Sequence, residues 1–198
     1  MTNSSRSIEH IIQFISDNYS PLCIECVDEF MLAAKLLTKE KSILLVKEGQ
    51  NSDELFFIAE GCARLFYTKD DKEITDGFFF ENQFLSSNSS FFERIPSLHS
   101  IELLEPTTFL TISRDDILRI ANKHKDFERL GRIIVTRLML QFQKQIAAMR
   151  FETALCKYES LINQRSDITQ RISLTYIASY LGITLETLSR IRNPKNRI

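Results

Sequence analysis

The chain has no tryptophan, and only four prolines, five glycines, four cysteines and three histidines in 198 residues. Each scarcity closes off a class of protein. No stretch reaches the roughly 18 consecutive apolar residues of a membrane-spanning helix, so no membrane span is expected. The opening Met1-Thr2-Asn3-Ser4-Ser5-Arg6 lacks the apolar run of a secretory signal, and a cytoplasmic protein is expected. Cys23, Cys26, Cys62 and Cys156 are then reduced thiols rather than a disulfide framework. His10, His99 and His124 lie far apart, none at a metal-ligand spacing. Cys23-x-x-Cys26 sits at helical spacing beside Ile24, Val27 and Phe30, without the further nearby thiolates of an iron–sulfur cluster. The two cysteines read as packed thiols, and no metal is expected. Phosphate loops, nucleophile elbows and paired catalytic carboxylates are absent. Asp70-Asp71 and Asp115-Asp116 are turn and helix-start residues first, so the chain does not read as an enzyme.

What is present is a core-forming composition, 43% hydrophobic with fifteen phenylalanines, and an uneven charge. Residues 1–149 carry 17 Lys+Arg against 22 Asp+Glu, whereas residues 150–198 carry 8 against 4. A basic C-terminal quarter on an acidic body fits a nucleic-acid-binding module attached to another domain. The expected division is residues 1–149 and 151–198.

Residues 7–37 read as helical, with Ile8, Ile11, Ile12 and Ile15 at helical spacing and a break at Asn18-Tyr19-Ser20-Pro21. From Ser42 the pattern changes. Ser42–Lys47, Glu54–Glu60, Cys62–Thr68, Glu73–Phe80, Ser100–Leu104 and Thr108–Ile112 read as short strands separated by polar turns. Together they predict an antiparallel β-roll or sandwich. Ser113 and Asp116 occupy N-cap and N3 of a short helix ending near His124. A long helix follows over 126–150. Phe127, Leu130, Ile134, Leu138, Phe142, Ile146 and Met149 form one stripe on it, and Ile133, Leu140 and Ala147 a second. A helix apolar on two faces has two surfaces to cover: one meets its own β-domain, and the other reads as meeting the same helix of a second subunit, the alternative being a central helix buried within one monomer.

Residues 174–192 carry the functional pattern. With Gly182 as a turn, Ala178 lies four residues before it, where two crossed helices approach closely. Ile177, Leu181, Leu188 and Ile191 face the shared core, and Thr184 caps the second helix. Leu185, Glu186, Ser189, Arg190 and Arg192 are left facing outward. Arginine can bond guanine acceptors bidentately, and glutamate can accept from the cytosine amino group. Ser173, Thr175 and Thr184 suit phosphate contact, and Arg192, Lys195 and Arg197 add positive charge beyond the helix.

The run Ile177-Ala178-Ser179-Tyr180-Leu181-Gly182-Ile183-Thr184, continuing Glu186-Thr187-Leu188-Ser189-Arg190-Ile191-Arg192, resembles the recognition element of the CRP/FNR family of bacterial transcription regulators. Upstream, Lys47-Glu48-Gly49, Glu54-Leu55-Phe56-Phe57-Ile58, Gly61 and Arg64-Leu65 resemble the first strands of that family's cyclic-nucleotide-binding β-roll. The resemblance spans roughly residues 20–192. It implies an α+β chain: an antiparallel, jelly-roll-like β-roll, a long dimerisation helix, and a C-terminal helix-turn-helix that binds double-stranded DNA as a homodimer and works with RNA polymerase. The family's DNA-reading positions fall on Glu186 and Arg190, which match, and on Leu185, where the family has arginine. The sequence ends a few residues past the second helix, so a β-wing is expected to be absent or minimal. In nucleotide-binding members a Gly-Glu pair caps the ribose and an Arg-Ser pair holds the phosphate. The matching positions here are Ser86-Ser87 and His99-Ser100. With Ser87 for glutamate and His99 for arginine, the cyclic phosphate loses its bidentate partner, so no tight cAMP binding is expected and any effector is another small molecule. The competing reading, favoured by Leu185 and the short C-terminus, is a ligand-receptor or protein-interaction β-roll module that no longer reads DNA.

Overall fold

The computed structural model describes residues 7–193, so Lys195 and Arg197 lie outside the described residues, as does any wing. The chain opens with α1 (Ile8–Asn18) and α2 (Ile24–Ala33), followed by β1 (Lys35–Lys39), β2 (Leu44–Val46), β3 (Glu54–Glu60), β4 (Ala63–Lys69), β5 (Lys72–Phe79) and β6 (Phe84–Leu85). Next come α3 (Asn88–Glu93), β7 (Ser100–Leu103), β8 (Thr107–Ser113), α4 (Arg114–Lys123) and the long α5 (Lys125–Phe151). Four helices complete it: α6 (Ala154–Gln164), α7 (Ile168–Arg171), α8 (Leu174–Leu181) and α9 (Leu185–Arg192).

The strands form two four-stranded sheets, in the orders β1-β8-β3-β6 and β2-β7-β4-β5, with every pairing antiparallel. Val46, Phe56, Ile58, Leu65, Ile101 and Phe109 interdigitate between them. The sheets are also covered from outside. On β3, Phe57 and Ala59 point away from Phe56 and Ile58, into a second core made with Ile11, Ile15, Phe30, Ile120 and Phe127 of the helices. Burial on both faces explains why Leu55-Phe56-Phe57-Ile58 is a continuous apolar run instead of an alternating one. The same holds on β5: Phe79 enters the inter-sheet core, while Phe78 and Phe80 meet Ile177, Leu181 and Leu188 in a third core.

The β-strands expected from turn spacing are all present within a residue or two of their expected ends. One expectation is corrected. Leu36 and Leu37 are not helical; they lie on β1, paired with Leu110 and Phe109 of β8. Helical periodicity gives way there because pairing along β8 satisfies five residues of backbone at a sheet edge. The α3 helix, the two-residue β6, and α6 and α7 carry too little periodicity to be read in advance.

Ser113 caps α4 as expected, its side chain accepting the Asp116 N–H. On α5 only the first three residues of the long stripe, Phe127, Leu130 and Ile134, are buried. From Val135 onward most apolar residues face outward: Val135, Met139, Leu140, Ile146 and Met149 are exposed, while Leu138 still packs against both cores of the β-roll. Among the described residues no helix is long and apolar enough to cross a membrane.

Candidate nucleic-acid interface

The α8–α9 pair is built by three local devices. Ser173 opens α8 by accepting the Thr175 N–H at 3.2 Å. Gly182 closes it at φ +69°, its N–H reaching the carbonyls of Ala178 and Ser179, while the Ile183 N–H returns to Ala178. That is a left-handed C-cap, the conformation glycine adopts without penalty. Thr184 then caps α9 by accepting the Thr187 N–H at 3.2 Å. Ile177, Ala178, Leu181 and Leu188 are buried between the helices. The eight positions singled out from the sequence, Ser173, Thr175, Thr184, Leu185, Glu186, Ser189, Arg190 and Arg192, are all exposed. Arg190 is steadied by an Nη2 bond to Thr187 Oγ1 at 3.3 Å.

The helix α8 is held against the β-roll rather than hanging free. Ser179 Oγ accepts the Thr75 N–H at 3.0 Å and donates to the Glu73 carbonyl at 3.3 Å, so a helix side chain finishes backbone pairing at the edge of β5. Tyr180 packs on Phe78 with ring centroids 5.2 Å apart. Arg64 of β4, only 2% exposed, lies with its guanidinium 3.7 Å from the Tyr176 ring centre and 4.0 Å from that of Phe66. Its Nε donates to Glu102 at 2.6 Å and its Nη2 to Glu73, so the buried cation is compensated by two carboxylates and two π faces.

A second junction is ionic. Arg171 of α7 bonds Glu81 at 2.5 Å, Asp167 at 3.0 Å, and Glu105, and Arg165 adds bonds to Glu81 at 2.9 Å and Asp167 at 3.2 Å. Burial opposes the charge on Glu81 and Asp167, but the hydrogen bonds from Arg171 and Arg165 outweigh it and hold both carboxyls below their ordinary pKa. Arg171 suffers the same burial, yet its bonds to Glu105, Glu81 and Asp167 raise its pKa. Neither Arg64 nor this cluster was identified from the sequence. The available signals were a lone arginine inside the apolar strand Cys62–Phe66, and an Asp–Arg pair at i,i+4 in 167–171.

The expected effector positions gather around the β6–α3 connection and the start of β7. Ser86, Ser87 and Ser100 are buried and His99 is half-buried. Ser87 Oγ donates to Ser97 Oγ at 2.6 Å, which in turn donates to the His99 carbonyl at 2.5 Å. Ser100 Oγ accepts the Glu48 N–H at 3.0 Å. His99 Nε2 faces the carboxylate of Asp76 at 3.7 Å, and its ring meets Tyr67 edge-on. Ser86 Oγ donates to Asn88 Oδ1 at 3.1 Å, so each of these hydroxyls already has a partner, and the one imidazole has an acidic neighbour.

The comparisons agree with this architecture. Residues 38–124 match the family model for the Cyclic nucleotide-binding domain, and the α+β fold, an antiparallel β-roll followed by helices, is similar to that of solved regulators. Among solved structures, the c-di-GMP-responsive global regulator CLP of Xanthomonas campestris superposes with TM-score 0.66 at 14% identity, covering 87% of this chain and 91% of its own. FixK2 of Bradyrhizobium japonicum gives 0.67 at 18%, covering 81% and 83%. The Thermus thermophilus catabolite activator protein gives 0.54 at 19%, covering 91% and 85%. No curated protein matches the sequence.

Proposed function

We propose that this chain is a cytoplasmic, homodimeric transcription regulator of the CRP/FNR type that binds double-stranded DNA through α9. In this reading residues 151–198 are the DNA-binding domain, and residues 1–149 supply the effector-type β-roll and the dimerisation helix. The observation that carries the reading is an asymmetry in the two-helix unit. Its first helix is docked on β5, while the second presents Leu185, Glu186, Ser189, Arg190 and Arg192 to solvent together. Arg190 and Glu186 would read base edges, and Ser173, Thr175, Thr184 and Arg192 would meet phosphates. The two-fold partner is a second copy, seated on the outward stripe of α5, where Phe92, Val135, Met139, Phe142 and Ile146 line an open apolar groove of about 630 Å³. RNA polymerase is the further partner that the family resemblance brings with it.

The β-roll is not read as a cAMP receptor. Ser87 spends its hydroxyl on Ser97, and Asp76 beside His99 repels the anion that an arginine would attract. Calorimetry showing micromolar cAMP affinity would overturn that part. The second reading, an interaction module that does not read DNA, is favoured by the exposed Leu185.

The deciding measurement is fluorescence anisotropy with the promoter upstream of the protein's own gene. Binding should weaken linearly in log[salt]. Arg190→Ala should cost about 1–3 kcal/mol, roughly 5- to 150-fold in affinity, with Arg192→Ala reducing the salt slope. No binding at low salt would favour the second reading.

A further inference from the structure

We propose a metal site at the joint between the N-terminal helices and α5, formed by Cys23, His124 and Asp126 and suited to a zinc-class divalent ion. The three residues come from two distant parts of the chain. Cys23 is the N-cap of α2, whereas His124 and Asp126 bracket the start of α5. One ligand atom from each lies within 4.8 Å of both others. The Cys23 Sγ faces His124 Nδ1 at 3.9 Å, and the backbone N–H of Cys23 already reaches Asp126 Oδ2 at 2.5 Å. Zinc–sulfur, zinc–nitrogen and zinc–oxygen bonds of roughly 2.0–2.3 Å in a tetrahedron hold ligand atoms about 3.3–3.8 Å apart. Side-chain rotation of about an ångström closes the set.

A second observation points the same way and comes from outside the three ligands. With Nδ1 turned to the sulfur, the other ring nitrogen of His124, Nε2, sits 3.3 Å from Glu29 Oε1. That is the carboxylate–histidine arrangement that fixes the imidazole tautomer and raises the basicity of a metal-ligating nitrogen. Glu29 is itself anchored by Lys123 at 3.1 Å and Arg119 at 3.1 Å, so the outer carboxylate is fixed in place. The nearby cations are therefore spent on Glu29, and none of them pairs with Asp126 among the described residues. Cys23 is exposed, which gives the ion a route in and leaves the fourth position to water, as in open zinc sites. An ion here would release the Cys23 thiol proton and tie α2 directly to the root of the dimerisation helix. The site is distinct from the effector positions near His99 and from the exposed face of α9.

Cobalt(II) is the probe, added to the metal-free full chain. A single equivalent should produce a thiolate-to-cobalt charge-transfer band in the near ultraviolet. The band should vanish in Cys23→Ser, persist in Cys156→Ser, and need roughly 10- to 100-fold more cobalt in Glu29→Gln. In the unmutated chain, zinc should slow maleimide labelling of Cys23 while leaving Cys156, the other exposed cysteine, unchanged. This arm does not depend on how any variant folds. No thiolate band with the unmutated chain, a band that survives Cys23→Ser, or equal labelling with and without zinc would each overturn the site.

Discussion

Removing Arg171 should loosen the C-terminal helices from the β-roll by a measurable and reversible amount. Its guanidinium holds Glu81, Glu105 and Asp167 together. Arg165 backs up Glu81 and Asp167, so among the described residues Glu105 is the carboxylate left without a cation. The side chains of Arg171, Glu81 and Glu105 are 17%, 25% and 26% exposed. Stranding one partner of a fully buried pair costs about 3–5 kcal/mol, while exposed pairs are worth about 0–1 kcal/mol. A cluster a sixth to a quarter exposed falls between them, so Arg171→Leu should lose about 2–3 kcal/mol. Urea denaturation gives the global figure, and amide exchange at Ile168 and Ile177 tells whether the C-terminal helices open first. The double variant Arg171→Leu/Glu105→Leu should recover most of the loss, because it leaves no stranded charge beside Glu81. A single variant within about 0.5 kcal/mol of the parent, the ordinary scatter of surface substitutions, would refute the reasoning, as would a double variant no better than the single.

The same cluster sets a pH dependence. Glu81 and Asp167 have folded pKa values below their unfolded ones. Their contribution is therefore present above the unfolded carboxylate range of about 3.9–4.3 and is lost as pH falls through the lower folded values; a urea midpoint that stays flat on acidification would contradict it. Two glycines should respond differently to alanine. Gly182→Ala meets open space and suffers only its φ of +69°, costing about 1–2 kcal/mol. Gly61→Ala combines φ +96° with a Cβ driven into Thr107 Oγ1 and 2.9 Å from the Pro106 carbonyl, and thermal midpoints should rank it the more damaging. Finally, Met139→Glu places a charge on the outward stripe of α5, where Met139 is 58% exposed. Sedimentation should show a monomer with an unchanged fold, and a dimer surviving intact would move the interface elsewhere.

How much of this was legible depended on the range of the interaction. The α8–Gly182–α9 unit is written in caps and spacings within some twenty residues, and Ala178, Gly182 and Thr184 each occupy the position their chemistry demanded. The strands were legible from their turns, and β1 was lost because only its partner β8 makes Leu36 and Leu37 extended. The long stripe on α5 reads as continuous, yet its surroundings change halfway: Ile134 is covered and Ile146 is not. The junctions were out of reach because their partners are far apart in the chain. Arg171 with Glu81, Arg64 with Tyr176, and Cys23 with His124 meet only once the fold exists.

Between β4 and β5 the register slips, with Leu65 opposite Gly77 and Phe66 opposite Thr75, so Asp76 is left over as a bulge. Freed from the ladder, its carbonyl accepts from Gln145 of α5 at 2.6 Å and its carboxylate faces His99. Its immediate neighbour Thr75 donates its N–H to Ser179 of α8. One surplus residue therefore stands where three parts of the molecule meet: His99 at the start of β7, the long helix α5, and α8 of the C-terminal helix pair. A displacement of residues 75–76 would disturb the contacts with Gln145, Ser179 and His99 together.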